Sequence, residues 1–174
     1  IYIGKTKEID ENYQLLHLHD LYHPFSKINI TIQSDSKAPD GVDLSDAETV
    51  TLNGLKEYQS INLISQVITY GTANASQTLT APDTDNDLHK IECAPIYVKP
   101  GSIAAKALLL TVHHEDDNGV VNDYKLNNEN SVFKFEAGKE YNITVTLKKT
   151  EITYAVTITD WTKGRDDFTG DGTI

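Results

Sequence analysis

Strict alternation between apolar and polar side chains is the feature that most restricts how this chain folds. It is clearest in Ser26–Ser34, in Lys139–Lys148 and in Glu151–Asp160, where isoleucine, valine and leucine alternate with threonine and asparagine. A period of two places the apolar residues on one face of a strand and the polar residues on the other. No helical pattern extends beyond one or two turns, so the sequence predicts an all-β protein.

The turn residues between these segments predict how they connect. Asn118-Gly119 predicts a hairpin that joins Leu108–His114 to Val120–Leu126. The two last strands should form a second hairpin, with its turn at Lys149-Thr150. Ser60–Gly71 looks like one strand, and Pro95 favours a sheet edge or bulge. Together these segments predict an antiparallel β-sandwich of about eight or nine strands.

Charge and composition exclude several classes of function. The net charge is −11, and so acidic a chain is repelled by nucleic acid and by anionic lipid surfaces. No apolar run approaches the roughly 20 residues of a spanning helix, so we expect no direct membrane span. The lone Cys93 excludes an internal disulfide and is expected to be a buried apolar residue. The chain contains no methionine and no basic leader, which we interpret as a processed or trimmed N-terminus.

The histidines and the acidic C-terminus are the candidates for metal binding. His17 and His19 would share one face of a strand, with Asp20 and His23 nearby. A second ligand cluster at matching spacing is missing, so we expect these to be solvated or edge histidines that bind no metal. Asp167–Gly172 resembles the first half of a calcium loop, but the acid expected six residues after the glycine is missing. We interpret this stretch as a flexible acidic tail.

No catalytic signature is evident. The chain has no Ser/His/Asp signature, phosphate-binding glycine loop or Cys-x-x-Cys pair, and we expect neither an enzyme nor a cofactor. Glycosylation sequons begin at Asn29, Asn74 and Asn142. Two of them lie inside predicted strands, where asparagine and threonine belong to the polar face.

The end of the sequence resembles the last hairpin of the fimbrillin-like proteins of Bacteroidales, the pilins with their anchor and tip relatives. Their pattern places an aromatic residue, Ala-Gly-Lys and a second aromatic before a threonine-rich strand, and Asp-Trp and Gly after the next strand. The matching residues are Phe135, Ala137, Gly138, Lys139, Tyr141, Asp160, Trp161 and Gly164. Weaker landmarks of the family match Leu21–Ile32, Val50–Leu55 and Pro95–Ser102.

The resemblance implies an all-β, antiparallel, transthyretin-like β-sandwich of about seven to nine strands, corresponding to the C-terminal domain of a two-domain protein. On this basis residues 1–12 are an N-terminal leftover or linker, residues 13–164 the sandwich, and residues 165–174 the acidic, glycine-rich tail. Family members are exported lipoproteins that lose an N-terminal strand to an Arg-specific protease. A strand of the neighbouring subunit then fills the vacated groove. The resemblance therefore implies a fimbrial subunit at the cell surface or outer membrane, with other subunits, a host surface or other bacteria as partners.

Four residues have specific roles in this interpretation. Trp161 should seal the open end of the core. Thr162–Ile174 is the candidate donor strand, with Phe168 and Ile174 as its apolar anchors. Arg165 is a candidate site for proteolysis. Because this tail is short and polar, tip, anchor and truncated stalk subunits all remain open.

A carbohydrate-binding surface module is the main alternative. It would need two or three exposed aromatic rings aligned on one face. The chain has one tryptophan, and most of its nine tyrosines are isolated in sequence, which favours the fimbrial subunit. An enzyme of the sandwich type is a third and weaker alternative.

Overall fold

The computed structural model describes residues 3–10, 15–35, 38, 40–42, 44, 47–62, 64–65, 67–72, 74–78, 88–115, 121–129 and 131–161. These residues form strands and no helix. The strands are β1 (Ile3–Asp10), β2 (Leu15–Tyr22), β3 (Ser26–Asp35), β4 (Ala47–Leu52), β5 (Tyr58–Ile61), β6 (Ile68–Tyr70), β7 (Ala75–Thr78), β8 (Leu88–Glu92), β9 (Ile96–Val98), β10 (Gly101–Ile103), β11 (Leu108–Glu115), β12 (Val121–Asn127), β13 (Phe133–Phe135), β14 (Lys139–Lys148) and β15 (Glu151–Asp160). The all-β prediction is therefore confirmed.

The larger sheet is built around β3 and β14. Its order is β15-β14-β3, and the far side of β3 pairs with β8 along one half and with β9 along the other. Between β8 and β9 the Cys93 N–H still donates to the Ile30 carbonyl of β3 at 2.9 Å, and the pairing is interrupted next to Pro95, which has no N–H to donate. β3 and β14 run parallel, whereas the other pairs within the described residues are antiparallel. The prediction of an antiparallel sheet thus missed one pair.

The smaller sheet has four strands in the order β12-β11-β4-β7. The predicted hairpin between β11 and β12 is present, with Glu115 opposite Val121. β4 lies on the other side of β11 and ends at Asn53-Gly54, where Gly54 has a φ of 77°. The asparagine–glycine turn read from the sequence therefore stops this strand as expected.

The two sheets share one hydrophobic core. Alternate residues of β3 and β14 point into it, and Val50, Leu52 and Val112 of the smaller sheet belong to the same cluster. Phe135 and Tyr141 fill one end of this cluster, with their ring centroids 4.8 Å apart. Burial of this continuous apolar surface is the main stabilising contribution to the fold.

Three two-stranded pairs complete the structure: β1 with β2, β10 with β13, and β5 with β6. The last of these corrects the prediction of one strand over Ser60–Gly71. The Asn62 side-chain oxygen accepts hydrogen bonds from the N–H groups of Ile64 and Ser65, each at 2.9 Å. Such an asparagine turn competes with the extended backbone and reverses the chain here.

The predicted number of strands was too low. The described residues form fifteen strands instead of seven to nine, and four of these contain only three residues. Three residues are too few to show a period of two. By contrast, the hairpin of β14 and β15 has the predicted bounds and turn. The described part of the chain contains no helix long and apolar enough to cross a bilayer.

Candidate functional site

One long edge of the larger sheet is formed by β15. Within the described residues it pairs with β14 alone. Its ten residues carry charges only at the two ends, Glu151 and Asp160, and contain no proline. Exposed sheet edges are usually protected by charged residues, proline or bulges, because unpaired main-chain groups invite another strand. The edge formed by β15 has none of these protections along its middle.

The turn before β15 determines which of its main-chain groups face outward. Lys149-Thr150 is a two-residue turn that sets Lys148 opposite Glu151, and residues that flank such a turn are hydrogen-bonded to each other. Bonded and non-bonded pairs then alternate along the hairpin. The N–H of Trp161 donates to the Gly138 carbonyl at 2.9 Å and continues the series of odd-numbered residues. The even-numbered residues of β15 therefore point their N–H and C=O groups away from β14.

The core-facing side of β15 is incompletely covered. On β14 the core-facing residues are fully buried, whereas Ile152, Tyr154 and Val156 of β15 are only partly buried. Ile158, opposite the buried Tyr141, is 53% exposed. This edge thus offers both unpaired main-chain groups and an uncovered apolar surface.

The edge of the smaller sheet approaches the first half of β15. A shallow groove of about 280 Å³ lies between β12 and the β14–β15 turn, and it is lined by Tyr124, Lys125, Lys149 and Ile152 among others. The Tyr154 side chain forms a hydrogen bond with the backbone of Glu129, just after β12, and burial raises the pKa of its hydroxyl. The second half of β15, with the exposed Ile158, is the more open part of the edge.

Trp161 follows β15 and stacks on two other aromatic rings. Its indole lies over the His23 imidazole, with centroids 3.7 Å apart and planes 7° apart. The Tyr97 ring lies at 5.5 Å with an angle of 22°. Exposure rises along this stack from His23 (7%) through the partly exposed Trp161 to Tyr97 (36%). Whether the indole also seals the core, as predicted, remains a prediction.

Nothing in the sequence pattern indicates that His23 and Tyr97 belong to one aromatic stack. The two residues lie 74 positions apart, and Tyr97 has no neighbouring aromatic residue in sequence. Both stack on Trp161, and β9 and β14 both flank the start of β3. Only the sheet order, which is not a local property of the sequence, brings them together.

The predicted donor-strand anchors Phe168 and Ile174 and the predicted protease site Arg165 lie outside the described residues. So does Asp167–Gly172, the calcium-loop-like stretch. The roles proposed for the tail therefore stay predictions.

The histidine pair and the cysteine have the following environments. His17 and His19 lie in β2, which pairs with β1. Within the described residues, no group of three or more His, Cys, Asp or Glu is arranged to hold a metal ion. Cys93 is partly buried, and burial raises the pKa of its thiol to about 12, which keeps it protonated at neutral pH.

Two of the sequon asparagines belong to a polar network on the larger sheet. Asn29 Nδ2 donates to Glu140 Oε1 at 2.6 Å and to Asn142 Oδ1 at 2.8 Å. Asn74 hydrogen-bonds to Asn53 and to the N–H of Gly54 at the end of β4. Asn29 and Asn142 therefore form part of the polar sheet face, as the alternation predicted.

Comparison with known proteins shows which family the chain resembles. The model of the family described as fimbrillin-like matches residues 3–161. No protein with a curated description matches.

The similar solved structures include three from Bacteroides species. Two are described as putative cell adhesion proteins, from Bacteroides uniformis (22% identity, TM-score 0.44) and Bacteroides fragilis (13%, 0.43). The third is a fimbrial protein from Bacteroides vulgatus (14%, 0.35). The matches cover 82%, 96% and 82% of this chain but only 52%, 60% and 56% of those chains.

Proposed function

Because the chain belongs to the fimbrillin-like family, we propose that it is a structural or adhesive subunit of a cell-surface fimbria, assembled by strand exchange between subunits. Its partners are then other fimbrial subunits, in a polymer of one or several kinds. We further propose export as a lipoprotein, processing at the N-terminus and a final location in the fimbria at the outer membrane.

The open edge of β15 is the observation that carries this proposal. An added strand would pair with the outward N–H and C=O groups of the even-numbered residues. Its side chains would cover Val156 and Ile158, which are partly buried and 53% exposed, respectively. Strand addition uses this combination of main-chain hydrogen bonds for affinity and side-chain contacts for specificity. The donor we propose is Thr162–Ile174 of a neighbouring copy, with Phe168 and Ile174 as anchors.

The proposed domain organisation is the one read from the sequence. Residues 13–164 form a transthyretin-like sandwich, residues 1–12 are the leftover of a preceding segment, and residues 165–174 are the tail. Part of the first segment, β1, pairs with β2. The sandwich description is supported by the single core that the two larger sheets share.

A proline at Ile158 tests the role of this edge. The amide of this residue faces away from β14, so proline removes an outward donor without breaking a bond to β14. Ile158→Ala is the matched control, since it also shortens the side chain but keeps the amide. We expect the purified wild-type chain and Ile158→Ala, with the C-terminal tail intact and without protease treatment, to form polymers, and Ile158→Pro to remain monomeric. Light scattering and negative-stain electron microscopy measure this difference, and circular dichroism checks that both variants fold.

Two outcomes would contradict the proposal. Polymers of Ile158→Pro that form as readily as those of the wild type would exclude β15 as the pairing edge. A wild-type chain that stays monomeric, alone and with the fimbrial subunits of its own organism, would exclude assembly itself.

A further inference from the structure

The polar face of the larger sheet carries two neighbouring rows of side chains near Tyr97. We call this face, which points away from the core, the outer face. Tyr97 belongs to it, because its neighbours Ile96 and Val98 are buried whereas Tyr97 is exposed. The strand register places Tyr97 opposite Lys27, and Lys27 opposite Glu140. Tyr97, Lys27 and Glu140 thus form one row of side chains across β9, β3 and β14, with the exposed Tyr97 ring at its end.

A second row of polar side chains lies beside the first. Asn29, Asn142 and Thr157 are opposite one another on β3, β14 and β15. Rows on one face are two residues, or about 7 Å, apart, and neighbouring strands are about 5 Å apart. Asn29 Nδ2 donates to both Glu140 and Asn142 and holds the two rows together. The Asn142 amide N–H group has no partner among the described residues, so it is available to a ligand.

Gly138 pairs with Trp161 at the end of the hairpin. The Gly138 carbonyl accepts a hydrogen bond from the Trp161 N–H, and the glycine has a φ of 74°, a conformation that side chains rarely adopt. The indole lies on His23 and beside Tyr97. The buried His23 ring, 3.7 Å below the indole, fixes its orientation. Tyr97 is therefore an exposed ring backed by two others.

The charges on the outer face are arranged in pairs. Lys27 bonds to Glu140 at 2.9 Å, and Lys90 pairs with Glu92. The surface thus combines aromatic rings, amides and hydroxyls with little local net charge, in a chain whose overall charge is −11. This chemistry disfavours polyanions. It suits a neutral ligand with an apolar face and many hydroxyl groups, since such a ligand can stack on a ring and hydrogen-bond to amides.

We propose that the outer face around Tyr97 and Trp161, with Asn29 and Asn142, is a binding site for neutral saccharides. The stack that makes this site is invisible in the sequence, where its rings are isolated. The site is distinct from the β15 edge. If the chain is a fimbrial subunit, as proposed, neutral saccharides are the class of receptor that it binds. Binding is measurable on the monomer, so its failure and the failure of strand exchange are separable.

The single tryptophan of the chain allows a direct test. Because Trp161 is the only tryptophan, intrinsic fluorescence reports on this site. Laminarin, xyloglucan, galactomannan and N-acetylchitohexaose serve as neutral probes, and heparin as an anionic one. We expect at least one neutral probe to change the fluorescence in a saturable way. Affinity gel electrophoresis provides a second readout that does not depend on the indole.

Substitutions at Tyr97 separate stacking from a structural effect. We expect Tyr97→Ala to weaken binding by about tenfold or more, whereas Tyr97→Phe retains the ring and the affinity. Asn142→Ala should also weaken binding, and because it removes the acceptor of the Asn29 bond, its binding is compared at a temperature where circular dichroism shows that the variant is folded. Tyr124→Ala, on the other sheet, is the aromatic control and should bind like the wild type. Binding of heparin alone, a signal unchanged by Tyr97→Ala, or no response to any neutral probe would overturn the proposal.

Discussion

Gly138 and Trp161 connect the end of the hairpin to the rest of the larger sheet. The Gly138 N–H donates to the Phe25 carbonyl, and its carbonyl accepts the bond from the Trp161 N–H, each at 2.9 Å. The sequence predicted a structural role for Trp161, and the family pattern included Gly138. It could not predict that His23 lies under the indole, because that contact depends on the pairing of β14 with β3. The paired residues of these two strands are 113 positions apart in the sequence.

Replacement of Trp161 tests the contribution of the stack to stability. A fully buried tryptophan would cost roughly 3–5 kcal/mol on truncation to alanine. Because Trp161 is only partly buried, we expect Trp161→Ala to reduce the free energy of unfolding by about 2 kcal/mol. Trp161→Phe, which can still stack on His23, should lose less than half of this. Denaturant unfolding measures both variants, and equal stability of Trp161→Ala and the wild type would show that the stack does not support the fold.

Glu140 should make the stability of the protein depend on acid pH. The hydrogen bond from Lys27 holds its pKa below the ordinary value of 4.5, and the bond from Asn29 acts in the same direction. A carboxylate whose pKa is lowered by folding stabilises the protein fully above its unfolded pKa. This contribution is lost as the pH falls through the folded pKa.

We therefore expect Glu140→Gln to lower the melting temperature at pH 7, with a difference from the wild type that shrinks below pH 4.5. Melting curves from pH 7 to pH 3 measure this effect. Glu92→Gln is the control at an exposed pair with Lys90, where solvent screening should leave a much smaller difference. A constant difference across this range would contradict the role of the Glu140 charge.

Individual elements were predictable where their pattern is local and long. β14 and β15 have ten residues each, alternate without interruption and are separated by two residues, so their bounds could be read directly. β5 and β6 escaped prediction because the decisive feature is the Asn62 side chain, whose two hydrogen bonds reverse the chain inside an apolar run. The pairing of β3 with β14 has no local signal at all. It is instead supported by polar side chains that bridge the elements.

Ser34 is the clearest of these bridging residues. It lies at the end of β3 with no exposed surface, donates to the Leu147 carbonyl at 2.9 Å and accepts from the Val42 N–H at 2.8 Å. Ser34→Ala leaves a buried carbonyl and a buried N–H without this partner. We expect a loss of about 2 kcal/mol in the free energy of unfolding. Ser76→Ala removes the hydroxyl of an exposed residue, whose bonds to Thr51 (3.1 Å) and to the Val50 carbonyl (3.3 Å) are longer, and it should cost less than about 0.5 kcal/mol. Equal effects of the two substitutions would show that the Ser34 bridge is unimportant.

For the whole molecule, the sequence predicted the class of fold but not the order of strands. Alternation specifies which residues enter the core, and nearly all of the apolar positions read from β3, β14 and the smaller sheet are indeed buried. The order β15-β14-β3 depends on pairing between distant parts of the chain, which single-sequence patterns do not encode. The same distant pairing creates both proposed sites, the open β15 edge and the stack at Tyr97. The family resemblance predicted strand exchange between subunits, but it did not identify the β15 edge.

The distribution of basic residues leads to a last prediction about maturation. The chain has fourteen lysines but a single arginine, Arg165, which follows the last strand. If the Arg-specific processing that the family resemblance implies applies to this protein, the part of the chain before Arg165 contains no cleavage site for that protease. Cleavage after Arg165 would release Asp166–Ile174, which holds both proposed donor anchors. We expect an Arg-specific protease to remove these nine residues from the monomer but not from the polymer, where a docked tail would be protected. Mass spectrometry of both forms measures this, and Arg165→Lys is the control that should abolish cleavage. Equal cleavage of monomer and polymer would reject a docked tail, because a paired donor strand does not fit a protease active site.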